Sequence, residues 1–130
     1  MELLRYFMAL CKDKNSAHPY VLYFVNNSQN PIDVLIVIPP GVKSRIPPNA
    51  KINDLLAIKG LEKFYNLPFL SFKMVARFQD WEFDWSIQRD VFLQSCGKEK
   101  HLPFCIDKYR WNLEEVADLP VLHRPGWICL

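Results

Sequence analysis

Residues 70–88 read LSFKMVARFQDWEFDWSIQ, and the predicted fold depends mainly on their pattern. Apolar side chains alternate with other residues in its first half and again in its second half, which is the period-two pattern of half-buried β-strands. The apolar set moves from even to odd positions at Gln79 and Asp80, so the chain must turn or bulge there. The pattern therefore predicts two neighbouring strands, one ending at Phe78 and the other beginning at Trp81.

A tight turn at this point would pair the two strands directly with each other. The ionic side chains would then share the solvent face, with Arg77 opposite Glu82, and the large apolar side chains would share the core face. The residues predicted to face the core are Leu70, Phe72, Met74, Ala76, Phe78, Trp81, Phe83, Trp85 and Ile87.

Further strands are predicted on both sides of this stretch. Residues 19–25 are rich in β-branched and aromatic residues and precede a cluster of turn formers. Residues 32–38 are almost continuously apolar, which is typical of a central strand covered on both faces. After a reversal at Pro40 and Gly41, residues 42–46 are predicted to form a strand with Lys43 and Arg45 on one face. Residues 102–106 are predicted as a further strand, whereas 91–95 fit either a strand or a helical turn.

Three segments have helical spacing. Apolar residues of the first eleven positions recur at three- and four-residue steps, which predicts a short amphipathic N-terminal helix. A second helix is expected from Ile52, with a kink or restart after Gly60. Asn112 and Glu115 form the spacing of a capping box, which predicts a short C-terminal helix.

Together these elements predict a single α+β domain spanning residues 1–130. Its mostly antiparallel or mixed β-sheet would have five to six strands, with the central helix packed on one face and short helices near both ends.

The order of elements between residues 32 and 106 resembles the β-grasp fold of ubiquitin-like domains. The resemblance rests on the strand 32–38, the reversal at Pro40 and Gly41, the helix from Ile52 and the strand 70–78. This order of elements is also similar to the order in Ras-association domains and in autophagy ubiquitin-like proteins. Ras-association members present basic residues of their second strand to an acidic partner, and this resemblance implies that role for Lys43 and Arg45.

Composition narrows the classes of partner. The 130 residues are 50% hydrophobic and carry a net charge of +2, which is far from the strongly basic balance of most nucleic-acid binders. A nucleic-acid partner is therefore not expected. No apolar run approaches the roughly 20 residues of a membrane span, and Glu2 and Arg5 do not suit a signal peptide. A cytoplasmic location is predicted, with the four cysteines reduced.

Two clusters raise the possibility of metal chemistry. Asp80, Glu82 and Asp84 share one strand face and resemble the acids of metal-dependent nucleases, although alternating acids more often form a solvated sheet face. The residues Cys96, His101 and Cys105 have spacings that permit zinc ligation, but they form no Cys-x-x-Cys pair. Neither cluster is specific, so no metal or cofactor is predicted.

The sequence thus favours a non-enzymatic protein-interaction or regulatory domain that binds an acidic partner surface. Lys43, Arg45 and Lys51 are the predicted contact residues, and Lys98 and Lys100 are further cations near one end of the sheet. One alternative is a small enzyme using either metal cluster. Another is a self-associating viral or bacterial inhibitor, joined through the N-terminal helix or the aromatic sheet face.

Overall fold

The computed structural model describes residues 5–12, 20–39, 41–78, 87–106 and 114–129. Within them the chain forms eight β-strands, one α-helix and one 3-10 helix. The strands are β1 (Tyr6–Lys12), β2 (Tyr20–Asn26), β3 (Ile32–Ile38), β4 (Glu62–Leu67), β5 (Ser71–Phe78), β6 (Ile87–Ser95), β7 (Lys98–Ile106) and β8 (Gly126–Cys129). The α-helix α1 covers Ile52–Leu56, and the 3-10 helix covers Lys43–Arg45.

The strands form two antiparallel four-stranded sheets. The first sheet has the order β5-β2-β1-β8, and the second has the order β4-β3-β6-β7. Both sheets contribute side chains to one shared core, so they face each other as the two layers of a β-sandwich. Large members of this core include Met8, Leu22 and Phe24 from the first sheet and Leu35, Val91 and Leu93 from the second.

The outer face of each sheet is also covered in part. Leu119 and Leu122 pack on the outer face of β1 and β2, where they bury Phe7 and Val25. On the second sheet, residues 42–61 pack over β3 and bury Ile36 and Ile38 with the help of α1. Each connection therefore acts as an apolar cover for a central part of its sheet.

This architecture shows that the predicted α+β fold, with one sheet of five to six strands around a central helix, is wrong. The only α-helix of the described residues has five residues, and its Ile52 and Leu55 pack on an outer face instead of the shared core. The predicted continuation of this helix after Gly60 is instead β4, which pairs with β3. Gly60 has a φ of +90°, a left-handed conformation through which an α-helix cannot continue toward residue 62.

The two predicted terminal helices are wrong as well. Residues 6–12 form β1, which pairs with β2 and β8, and the apolar run of β1 is buried on both of its faces. Near the C-terminus, Val116 and Gly126 exchange two backbone hydrogen bonds of 2.7 and 3.0 Å, which hold residue 116 in an extended bridge. Residues 107–113, where the C-terminal helix was expected to begin, lie outside the described part.

Several strands are confirmed. The central strand was expected at residues 32–38, and β3 has those bounds and lies between β4 and β6. β2 confirms the strand expected near residues 19–25, and β7 confirms the one expected at 102–106. The undecided segment 91–95 belongs to strand β6.

The predicted pairing on either side of Gln79 is wrong. β5 pairs with β2 in the first sheet, whereas β6 pairs with β3 and β7 in the second. Phe72 lies opposite Val25 of β2. The change of phase in the sequence therefore accompanies a change of sheet. Residues 79–86, including Trp81, Phe83 and Trp85, lie outside the described part of the chain.

Candidate functional site

The predicted basic contact residues do not lie on a strand, so their placement on a second strand is wrong. Lys43 and Arg45 belong to the 3-10 helix. Arg45 is engaged within the fold, because its Nη2 donates a 3.0 Å hydrogen bond to the carbonyl of Lys59. Lys51 is exposed and precedes α1, where its backbone N–H donates to the carboxylate of Asp54 at 2.9 Å. Their role in binding a partner stays a prediction.

The residues proposed for zinc have separate environments. Cys96 is exposed in the β6–β7 turn, and Cys105 is half-buried further along β7. The His101 ring stacks on Phe92 with centroids 4.2 Å apart, and its Nε2 lies 3.2 Å from Oδ1 of Asp90. No three His, Cys, Asp or Glu side chains are grouped to hold a metal ion within the described residues. Asp80, Glu82 and Asp84 lie outside them.

His101 and Lys51 share a groove of about 420 Å³ on the outer face of the second sheet. Phe92 and Pro48 contribute apolar walls, and Asp90 contributes a carboxylate. The described residues that line the groove include no serine, threonine or cysteine that could act as a nucleophile. The groove thus combines a histidine, a carboxylate and a lysine.

The buried thiols are poor nucleophiles. Burial raises the pKa of the Cys11 thiol to about 11, and the nearby Arg124 opposes this shift only in part. Burial also raises the pKa of Cys129 strongly, with a smaller contribution from Cys105. Because the thiolate is the reactive species, both groups are held in their unreactive form at neutral pH.

A further candidate surface, formed by exposed apolar side chains, lies on β5 at an edge of the first sheet. Phe72 and Met74 are 39% and 43% exposed, and they point away from the shared core. The Phe72 ring meets the half-buried ring of Tyr23 edge-on, with centroids 5.2 Å apart. These three apolar side chains form a continuous outer surface that the cover around Leu119 does not bury.

Two arginines border this surface. The Nε of Arg77 lies 2.9 Å from the Sδ of Met74, which keeps the guanidinium beside the methionine. Arg124 lies over the Tyr23 ring, 5.3 Å from its centroid, and its Nη1 donates a 3.0 Å hydrogen bond to the Tyr23 hydroxyl. We call this surface the outer patch, and its residues are Tyr23, Phe72, Met74, Arg77 and Arg124.

The backbone of β5 explains why Phe72 and Met74 face outward. The register with β2 shifts between Leu22 and Tyr23, where Leu22 lies opposite Ala76 and Tyr23 lies opposite Met74. Val75 is the additional residue of this β-bulge, and both Val75 and Ala76 pack against the shared core. The predicted core positions of Phe72 and Met74 are therefore wrong.

The charged residues of the outer patch are all positive. Lys73 and Arg77 are the only charged residues of β5, and both are cationic. Arg77 and Arg124 give the outer patch two positive charges, whereas Lys73 lies opposite the core residue Phe24 and therefore on the other face of β5. An acidic partner is therefore complementary to this surface.

The sequence contains only a weak indication of this site. Alternation along residues 70–78 correctly predicts a strand, but the bulge reverses the face of Phe72 relative to Ala76. Tyr23 and Arg124 are 101 positions apart, so no local pattern connects them. The site becomes visible only when the pairing of β2 with β5 is known.

No protein-family model, curated protein or solved structure matches this chain. The resemblance to ubiquitin-like domains accordingly stays a prediction. Among the helices of the described residues, none has the length and apolar character needed to cross a membrane.

Proposed function

We propose that the chain is a non-enzymatic protein-interaction domain that binds an extended, acidic segment of a partner along β5. The single observation that carries this proposal is the outer patch on an edge strand. Aromatic residues, methionine and arginine are the residue types enriched in protein interfaces, and the patch consists of these types alone.

The edge position supplies a binding mode. Among the described strands β5 pairs with β2 alone, so its other edge offers backbone donors and acceptors to an added strand. An extended peptide that pairs there gains main-chain hydrogen bonds, and its alternate side chains meet the outer face. Phe72 and Met74 would contact apolar side chains of the peptide, while Arg77 would contact a carboxylate further along.

The partner segment can therefore be specified by its pattern. We expect two apolar residues at alternate positions, with Asp or Glu on the same side of the strand beyond the residue that meets Met74. The cationic side chains of β5 disfavour basic segments, because Lys73 and Arg77 would repel them.

A selection from a random peptide display library tests this proposal. The purified chain should enrich acidic peptides with the expected alternation, and Phe72→Ser should weaken their binding at least about tenfold, as for a central aromatic contact. Tyr65→Ser is the matched control, because Tyr65 is 55% exposed on β4 of the other sheet. Binding that survives Phe72→Ser but is lost in Tyr65→Ser would overturn the proposal.

Light scattering provides an independent check on the identity of the partner. The proposal predicts that the chain alone is monomeric at micromolar concentration. A wild-type dimer that Phe72→Ser dissociates would show that a second copy of the chain occupies the patch, and the acidic-partner proposal would then fail.

A further inference from the structure

A second site lies at one end of the sandwich, in the mouth between the two sheets. Alternate residues of β7 face the first sheet, and Leu102 and Phe104 pack in this way against the shared core. The same face continues to Lys100 and Lys98 at the start of the strand. Lysines at positions that follow a core pattern are unusual, since the neighbouring positions on that face are apolar.

The mouth is a small cavity with a strongly positive lining. Its volume is about 140 Å³, and Arg5, Lys98 and Lys100 contribute three cationic side chains. None of the described lining residues is acidic. The whole chain has a net charge of only +2, so this cavity concentrates positive charge locally. An anion in the mouth would relieve the mutual repulsion of the three cations.

The walls of the mouth are fixed by contacts within the fold. The Nζ of Lys100 lies 5.5 Å from the ring centroid of Tyr6, a cation–π contact across the two sheets. The carbonyl of Arg5 accepts a 2.7 Å hydrogen bond from the backbone N–H of Asn27. On the other wall, the hydroxyl of Ser95 donates to the carbonyl of Pro31 at 2.7 Å.

The loop that supplies Asn30 is also held in place. The Oγ of the buried Ser28 accepts a 3.2 Å hydrogen bond from the Asn30 N–H and lies 2.8 Å from the Asn30 carbonyl oxygen. Asn26 adds a 3.0 Å hydrogen bond from its Nδ2 to the same carbonyl. The backbone of Asn30 is thus anchored, and Asn30 lines the mouth beside the cations.

We propose that this mouth binds a small phosphoryl-type oxyanion through Arg5, Lys98 and Lys100. The cavity is well below the roughly 300 Å³ at which sites for larger organic ligands begin, which favours inorganic phosphate or the phosphoryl group of a small monoester. Guanidinium and ammonium groups bind phosphate oxygens by charge-assisted hydrogen bonds, and the arginine fork adds a second donor.

An NMR titration of the full chain with sodium phosphate tests the site, with sodium chloride at equal ionic strength as the reference. Phosphate should cause saturable shifts in the backbone amides of Asn30, Lys98 and Lys100. Lys100→Gln should weaken this binding about three- to tenfold, as expected for one charge-assisted contact that is partly exposed to water. Lys59→Gln is the control, because Lys59 is exposed after α1 and does not line the mouth.

Parallel titrations with O-phosphoserine and sodium sulfate show which class of anion the mouth binds. Tighter binding of phosphoserine would assign the site to monoesters, and equal binding of phosphate and sulfate would assign it to tetrahedral oxyanions in general. Equal shifts with chloride, or equal weakening by Lys100→Gln and Lys59→Gln, would overturn the proposal. Lys100→Arg keeps the charge and should retain binding within about threefold.

Discussion

Asn26 offers a sharp test of the structure, because its fully buried side chain joins two loops. Its Nδ2 donates to the carbonyls of Asn30 and Pro68, both at 3.0 Å. Its Oδ1 accepts from the Ser28 backbone N–H at 3.1 Å and from the Ser28 hydroxyl at 2.6 Å. The amide therefore fixes the loop before β3 and the turn that leads into β5.

The expected cost of replacing Asn26 follows from these four hydrogen bonds. At about 1 kcal/mol net for each bond, Asn26→Ala should lower the free energy of unfolding by about 4 kcal/mol. Asn26→Asp should cost at least about as much at neutral pH, because a carboxylate cannot donate to the two carbonyls it would face. Urea denaturation at 25 °C measures both values.

The acid form of the Asn26→Asp side chain can still donate one hydrogen bond, which predicts a dependence on pH. Its pKa in the folded chain should lie above the ordinary value of about 3.9 for Asp. The folded state then holds a proton that the unfolded chain releases, so part of the lost stability should return below about pH 4 and disappear as the pH rises. Asn53→Asp, on the exposed surface of α1, is the control and should change stability by less than about 1 kcal/mol. An Asn26→Asp chain as stable as wild type at pH 7 would refute the hydrogen-bond geometry.

Two further perturbations test the packing of the first sheet. A Cβ at Gly126 would clash with the Leu10 carbonyl oxygen, so Gly126→Ala should force β8 away from β1 and cost about 3 kcal/mol of stability. A thermal melt measures this loss, and an unchanged melting temperature would contradict the close approach of the two strands. Burial raises the thiol pKa of Cys11 from 9.0 to about 11 and raises the pKa of Cys129 as well. The stabilisation that these two protonated thiols contribute is therefore complete below pH 9 and declines as the pH rises toward 11. Urea melts between pH 8 and 10.5 should show a smaller decline when both thiols are replaced by alanine. An unaltered slope in the double variant would be inconsistent with buried thiols.

The strands that could be predicted from the sequence are those whose local pattern permits one interpretation. The run from Ile32 to Ile38 is apolar at nearly every position and is bounded by prolines, so a central strand is its simplest structure. β1 has a similar apolar run, but its residues also fit helical spacing. Pairing with β2 and β8, together with the cover around Leu119, selects the strand, and these partners are distant in the sequence.

The arrangement of the sheets could not be obtained from local patterns. Residues 70–78 and 87–95 are both strands, but nothing in their spacing shows that they belong to different sheets. Likewise, the positive charge of Lys43 and Arg45 is visible in the sequence, whereas the hydrogen bond that engages Arg45 depends on the return of the chain at Lys59. The cations of the mouth were recognisable in part, since Lys98 and Lys100 adjoin one turn, but Arg5 joins them only through the packing of the two sheets.

The acidic peptides selected on the chain allow the most direct test of how β5 is used. Hydrogen–deuterium exchange should be measured on the free chain, on its complex with the tightest peptide, and on the Phe72→Ser chain mixed with that peptide. Addition of a strand predicts slower exchange of the backbone amides of β5 in the complex and no such change with Phe72→Ser. Slower exchange confined to β7 or β4, with β5 unchanged, would contradict the assignment of the outer patch as the binding surface.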